Sequence, residues 1–293
     1  MWKALGYSLF VAFIIFCLLE GYSLWRLTKV FAGPFPGAEL VRPLDLPIED
    51  IVFEDELGAR LAGWIVPGQK GQGVVLVLHG YSVHRNILLK RTRFLHQAGY
   101  TVMLFDFQGH GQSSGEFATF GYREYYNVVA AMKFLRERFP AEKIGIVATS
   151  MGAVSVFSQG NAVSADAYVL ESPFKGLKRF SESNLNKFFG VNTPFYTPIF
   201  LKMLSYRLGF NTETFVPADG LKNLSGPLLM VAASEDVYVP LSEIMTFYRY
   251  VPEPKEMWII KGMPHGDYSH TVPEEYQKRV LGFLQAHLRK RHD

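Results

Sequence analysis

Three residues in the 293-residue chain combine types and spacing that could do nucleophilic chemistry: Ser150, Asp236 and His265. Ser150 lies in Ala148-Thr149-Ser150-Met151-Gly152, directly after the apolar run Ile144 to Ala148 and before a segment of helical character. A serine presented on a tight strand-to-helix turn needs small residues two positions to either side. Only then can strand and helix approach closely enough to push the hydroxyl outward. Gly152 meets that need, and Ala148 departs from glycine by one methyl group. Asp236 opens Asp236-Val237-Tyr238-Val239-Pro240 after the apolar run Leu228 to Ala232, and His265 closes Gly262-Met263-Pro264-His265 after Met257 to Ile260. In such a set the serine attacks a carbonyl and the histidine accepts its proton. The aspartate holds the imidazole in the right tautomer and stabilises its charged form. Ser150 alone could also be read as a helix N-cap; three separate loops in the order Ser, Asp, His carry more weight.

The elements that would position these loops alternate from Ile48 onward. Ile51-Val52-Phe53 and Leu61 to Val66 read as paired strands around a Glu56-Leu57-Gly58 turn. Val74 to Leu78, Thr101 to Phe105, Ile144 to Ala148, Ala167 to Leu170, Leu228 to Ala232 and Met257 to Ile260 are short continuous apolar runs. Such runs suit strands buried on both faces. Helices are expected over Asn86 to Ala98, Tyr122 to Phe139, Ala153 to Gln159, Ser242 to Tyr250 and Pro273 to Leu288. The alternation predicts an α/β fold, a mostly parallel eight-stranded sheet with helices on both faces. Chemistry in such sheets collects after the carboxyl ends of strands. Two further loops sit there: His79-Gly80-Tyr81, and the glycine-rich Asp106-Phe107-Gln108-Gly109-His110-Gly111-Gln112-Ser113.

From roughly Ile51 to Leu288 these features together resemble the α/β-hydrolase superfamily, and within it the membrane-anchored serine hydrolases. The resemblance rests on the His-Gly loop at His79-Gly80, the D-x-x-G-H-G-x-S loop at Asp106 to Ser113, the elbow at Ser150, the D-x-x-V-P loop at Asp236 and the G-x-x-H loop at His265. It implies Ser150, Asp236 and His265 as catalytic residues. It also implies the backbone amides of Tyr81 and Met151 as the oxyanion hole. Phe174 to Phe215 is the expected helical cap, about residues 173–217, with ten aromatic residues and a basic surplus. The cap either packs a core of its own or forms an apolar acyl pocket with a basic rim.

Ahead of this domain, Ala4 to Leu19 carry no charge, and continuing past Glu20 to Trp25 gives 22 residues. At 1.5 Å per residue that spans roughly 30 Å, a hydrocarbon core. Trp2 and Trp25 mark its ends, as amphipathic indoles do at membrane interfaces. The reading is a transmembrane anchor over residues 1–30, a linker over 31–47 rich in Gly and Pro, and the catalytic domain over 48–293. A cleaved signal peptide shares the basic start and apolar run, and a buried helix is the third reading. Lys3 with the amino terminus balances Arg26 with Lys29, so charge does not orient the segment. A short tail before an uncleaved signal favours a single-pass protein with its catalytic domain on the exported side.

Composition narrows the function classes. With 48% hydrophobic and 19% charged residues the chain is neither disordered nor a coiled coil. Thirty basic against 27 acidic residues give a net charge of +3, too balanced to indicate nucleic acid. Cys17 is the only cysteine, so no intrachain disulfide or cysteine-based metal site is expected. Neither metal-ligand spacing nor a nucleotide loop is apparent, and no cofactor is implied. His79 and His110 are expected to shape their loops, Asp106 to organise its own, and Glu171 is the rival to Asp236. The function expected is hydrolysis of a carboxylic ester or thioester, plausibly of a lipid, through an acyl-enzyme. A peptidase or acyl-peptidase on the same triad, or a non-catalytic binding protein on the same fold, are the alternatives. The partners expected are an acyl substrate and the membrane.

Overall fold

The computed structural model describes residues 2–37, 41–189 and 194–289, with side chains for all but residues 2–4 and 187–189. Residues 290–293 lie outside the described residues, as do the side chains of Trp2 and Lys3. In chain order the elements begin with α1 (Trp2–Ala32), β1 (Glu49–Glu54), β2 (Arg60–Val66) and β3 (Val74–Leu78). Next come α2 (Leu89–Gln97), β4 (Thr101–Phe105), α3 (Glu124–Arg138), β5 (Ile144–Thr149), α4 (Met151–Val154) and β6 (Ala167–Glu171). The cap helices α5 (Leu177–Phe189) and α6 (Tyr196–Leu208) follow. The chain then closes with β7 (Leu228–Ala233), α7 (Leu241–Tyr248), β8 (Lys255–Ile260), α8 (Tyr268–Thr271) and α9 (Pro273–Leu288).

The eight strands form one sheet in the order β1-β2-β4-β3-β5-β6-β7-β8. Strand β2 runs antiparallel to both neighbours and every other pair is parallel. The apolar runs are explained by two-sided burial, since successive side chains point to opposite faces. Val74, Leu76 and Leu78 of β3 join one core with α3, α7 and the cap; Val75 and Val77 join the other with α2 and α9. Strands β5, β6 and β7 divide the same way.

Two helices differ from expectation. Over Ala153 to Gln159, only Met151–Val154 is α-helical and turns follow. Val154 and Val156 are stiff at χ1, and the Ser155 hydroxyl donates back to the Gly152 carbonyl at 2.7 Å. Over Asn86 to Ala98, a 3-10 turn at Arg85–Leu88 precedes α2.

Helix α1 has two environments. From Leu5 to Tyr22 its large apolar side chains stand exposed, Tyr7 and Leu18 by 72% and 68%. From Leu24 onward it docks: Leu24, Thr28, Phe31 and Ala32 are buried, and Arg207 of α6 lies over the Trp25 ring at 4.0 Å. The Arg207 Nε donates to Thr28 Oγ1 at 2.8 Å. The stretch expected as a linker therefore starts inside the core. Phe35 N–H donates to the Gly109 carbonyl at 2.7 Å, and Gly111 N–H to the Phe35 carbonyl at 2.9 Å.

Candidate active site

Ser150 stands between the end of β5 and the start of α4 at φ 53°, ψ −117°. A non-glycine residue at positive φ costs on the order of 1–3 kcal/mol, so its surroundings must hold it there. Its N–H donates to the Glu171 carbonyl at 2.7 Å, and its carbonyl accepts from Val154 N–H at 3.0 Å. Gly152 shows why small neighbours are needed: a Cβ there would sit 2.5 Å from the His79 carbonyl oxygen. Ala148 is tolerated because it lies in register between Leu78 and Leu170 and its methyl faces the apolar core.

The three loops converge. His265 Nε2 lies 3.1 Å from Ser150 Oγ, and His265 Nδ1 lies 2.6 Å from Asp236 Oδ2. The other carboxylate oxygen of Asp236 accepts from the amides of Tyr238 and Val239 at 2.9 and 2.8 Å. Asp236 is buried, whereas the His265 side chain remains 21% exposed toward the cleft. The Tyr238 ring stands edge-on to the imidazole with centroids 5.7 Å apart.

Gly80 and Tyr81 bring the loop after β3 alongside Ser150; a Cβ built on Gly80 would lie 3.5 Å from that of Ser150. Among the described residues, no backbone carbonyl accepts from the Tyr81 or Met151 amide. Both remain available to an oxyanion. The cavity over these groups measures about 300 Å³ and is lined chiefly by apolar residues, including Val83, Ile87, Leu88, Phe180 and Tyr238. Asp267, its one acidic lining residue, is ion-paired to Arg91 at 2.9 Å.

The rival residues have other duties. Glu171 is buried away from His265. It pairs with Arg91 at 2.8 Å and accepts from Thr149 Oγ1 at 3.0 Å and from the Tyr276 hydroxyl. Burial raises its pKa above the ordinary carboxylate range. His79 accepts from Phe107 N–H through Nε2 at 3.0 Å, and its Nδ1 faces the Gly80 carbonyl at 2.7 Å. His110 Nε2 accepts from Ser82 N–H at 3.2 Å. Burial lowers the pKa of His79 to about 4 and that of His110 to about 3, so both are neutral loop-shapers. Asp106 organises its loop by accepting from the amides of Arg85 and Gln112 at 2.7 and 2.9 Å.

Sequence reasoning missed Arg91 and Arg85. Each reads as a surface cation, yet Arg91 is buried against Glu171 of β6 and Arg85 against Asp106 of the loop after β4. It also treated the cap aromatics as one group, and the structure separates them. Phe180 lines the cleft, Phe200 packs on Phe31, and Phe210 stacks on Tyr122 at 4.0 Å. Among the described residues no group of three or more His, Cys, Asp or Glu side chains is placed to hold a metal ion.

Comparison with known proteins agrees with this architecture. Residues 69–205 match the family described as serine aminopeptidase, S33, a stretch that includes Ser150 but ends before Asp236 and His265. An esterase from Pyrococcus furiosus superposes with a TM-score of 0.74 at 26% identity, covering 88% of this chain and 98% of its own. The protein YqkD of Bacillus subtilis is 24% identical over 80% of this chain and 78% of its own length. Lysophosphatidylserine lipase ABHD12 of Danio rerio is 24% identical over 69% of this chain and 53% of its own. The chain has the α/β-hydrolase fold, and these likenesses support its place among the α/β-hydrolases.

Proposed function

We propose that the protein is a membrane-anchored serine hydrolase that cleaves carboxylic esters of apolar acyl chains. The observation that carries this reading is the hydrogen-bonded series from Ser150 through His265 to Asp236 at the floor of an apolar cleft. Ser150 Oγ attacks the acyl carbonyl while His265 Nε2 takes its proton, and Asp236 stabilises the imidazolium. The Tyr81 and Met151 amides receive the oxyanion, and loss of one such donor costs about 10²–10³ in kcat. His265 then delivers the proton to the leaving alkoxide, which departs as the alcohol. Water, deprotonated by the same imidazole, attacks the acyl-enzyme and releases the carboxylic acid. A thioester would react by the same steps with a thiolate leaving.

The similarity to an esterase supports the ester reading, and the lipase name of one relative supports an amphiphilic acyl substrate. The family match at residues 69–205 supports a second reading, an aminopeptidase. Such an enzyme needs a carboxylate to bind the substrate ammonium group. Asp267, the acidic residue in the cleft, is already engaged in an ion pair with Arg91, which favours the ester. The anchor reading is supported by the exposed apolar surface from Leu5 to Tyr22, about 27 Å long at the helical rise, close to a hydrocarbon core. Burial of Phe31 and Ala32 supports retention of the helix over cleavage, because removing it would open the aromatic core. The catalytic domain is assigned to the exported side, which protease accessibility in sealed membranes tests.

The function is tested with Ser150→Ala. Ester turnover and fluorophosphonate labelling both vanish on this reading, and unchanged labelling would sink it. A p-nitrophenyl ester series should peak at medium or long acyl chains; a strict acetyl preference excludes the apolar substrate.

A further inference from the structure

Three hydrogen bonds help hold the loop that presents the Tyr81 amide; one reaches the last turn of α1 and another leads to Phe35 just beyond it. The first is internal to the loop, between the His79 ring and the Gly80 carbonyl. The second is the Tyr81 phenol, whose hydroxyl donates to the carbonyl of Phe31 in the last turn of α1. The third is Ser82 N–H, which donates to His110 Nε2; the His110 ring packs on Phe35 at 5.3 Å. Phe35 in turn is pinned by its two backbone bonds to Gly109 and Gly111.

Phe31 also joins the loop to the cap. Its ring lies 5.9 Å from Tyr81, 5.2 Å from Phe120, 5.4 Å from Phe180 of α5 and 5.2 Å from Phe200 of α6. The Tyr81 ring stacks on Phe120 at 5.0 Å and meets Phe180 edge-on at 5.4 Å. Phe31 is 5% exposed, and the next residue's carbonyl accepts from Ala118 N–H at 2.8 Å. The helix end thus packs behind Tyr81 and Phe180, which line the cleft, and a shift in it moves the side chain of a residue whose own amide faces the reacting carbonyl.

From this geometry we infer that Phe31 is a positioning residue for the oxyanion hole, acting through Tyr81, so that α1 completes the active site as well as tethering it. The inference rests on the reading of Ser150 as nucleophile and of the Tyr81 amide as oxyanion donor. A displacement near 1 Å at a catalytic group can cost about 10²-fold in rate. Because an oxyanion contact strengthens only when charge develops, the loss falls on kcat and leaves KM nearly unchanged.

The test uses the full chain in detergent, with turnover divided by the number of sites titrated with a fluorophosphonate. Phe31→Ala lowers kcat per titrated site by about 10–10², with KM for a short ester within about twofold. An alkyl boronic acid, whose adduct places an oxygen in the same hole, loses affinity in parallel, and Phe31→Leu recovers part of both. Tyr81→Phe keeps every ring contact and removes only the hydroxyl bond to Phe31, so it decides the matter even where Phe31→Ala fails to fold. It lowers kcat by several-fold without a change in titre. If Tyr81→Phe turns over within twofold of the wild type per site, the inference is overturned. Wild-type protein that takes up no fluorophosphonate overturns the serine-hydrolase reading itself, a result separable from the first.

Discussion

Replacing Asp236 by asparagine changes no more than one atom, and the surroundings dictate how the new amide must sit. One carboxylate oxygen accepts from the amides of Tyr238 and Val239 at 2.9 and 2.8 Å, and the other faces His265 Nδ1 at 2.6 Å. The asparagine oxygen must keep the two amide donors, since an NH2 group there would meet two N–H groups. Its NH2 is then turned toward His265 and donates to Nδ1. That forces the imidazole proton onto Nε2, which faces Ser150 Oγ and can no longer accept from it. The expected loss in kcat is about 10⁴-fold, equivalent to about 5 kcal/mol of barrier. The melting temperature should barely move. Glu171→Gln is the contrasting change. It leaves His265 untouched but removes one charge from the partners of Arg91, where breaking a buried pair costs about 3–5 kcal/mol. Asp267 remains on Arg91, so the lower end applies. This variant should melt earlier and still turn over within a few-fold of wild type per titrated site. Steady-state hydrolysis of a p-nitrophenyl ester and a thermal melt measure both quantities. The reasoning fails if the pattern reverses, or if Asp236→Asn keeps a tenth of wild-type kcat.

Three further expectations follow, one from buried histidines and two from the elbow. His79 and His110 have folded pKa values of about 4 and about 3 against an ordinary 6.5. Below 6.5 the unfolded chain binds more protons than the folded one, so stability is full above that value and is lost as pH falls toward 4. Each histidine removes about 1.4 kcal/mol per pH unit in that window. Melting at pH 7 and pH 5 should differ by about 4 kcal/mol for the pair, with a shallower slope in His110→Asn; a flat profile contradicts neutral burial. In the elbow, Gly152→Ala drives a methyl to 2.5 Å from the His79 carbonyl. It should cost about 1–3 kcal/mol and depress kcat through the adjoining Gly80-Tyr81 loop. Ala148→Gly should lose about 0.5–1 kcal/mol without a gain in kcat; faster turnover would mean that the methyl hinders the serine.

The sheet was legible chiefly because β2 to β7 are buried on both faces, and two-sided burial writes an unbroken apolar run that differs from the helices on either side. The loops holding Ser150, Asp236 and His265 were legible for a different reason. Each follows such a run directly, so finding the strands located the loops. What was hidden depends on contacts between distant segments. Lys90-Arg91-Thr92-Arg93 looks like a solvated basic face, and only the fold reveals that Arg91 meets Glu171 from β6 and Asp267 from the histidine loop. The same holds for Arg85, which is buried against Asp106 and lies over the Trp64 ring at 4.4 Å. The short helix at Ala153 was overextended because its apolar residues are buried here in turns, and burial alone does not reveal helical period.

The apolar helix at the start of the chain shows where pattern reading loses resolution. Hydropathy records that a residue avoids water, and it does not record whether lipid or protein takes water's place. From Leu5 to Tyr22 no protein covers the helix, while Leu24, Thr28 and Phe31 are covered by it. The two halves carry the same compositional signal. The anchor boundary at residue 30 lies nearly two turns beyond the change of environment near Leu24. The expected linker begins at Phe31, whose ring packs against Tyr81, Phe180 and Phe200. On the proposed reading one helix serves as anchor and as packing for the active-site loop because both need apolar surface in an unbroken α-helical backbone. A truncation that removes the exposed part of the helix should accordingly begin no later than Tyr22, since one that begins at Pro34 also removes the Phe31 ring that packs behind Tyr81 and Phe180.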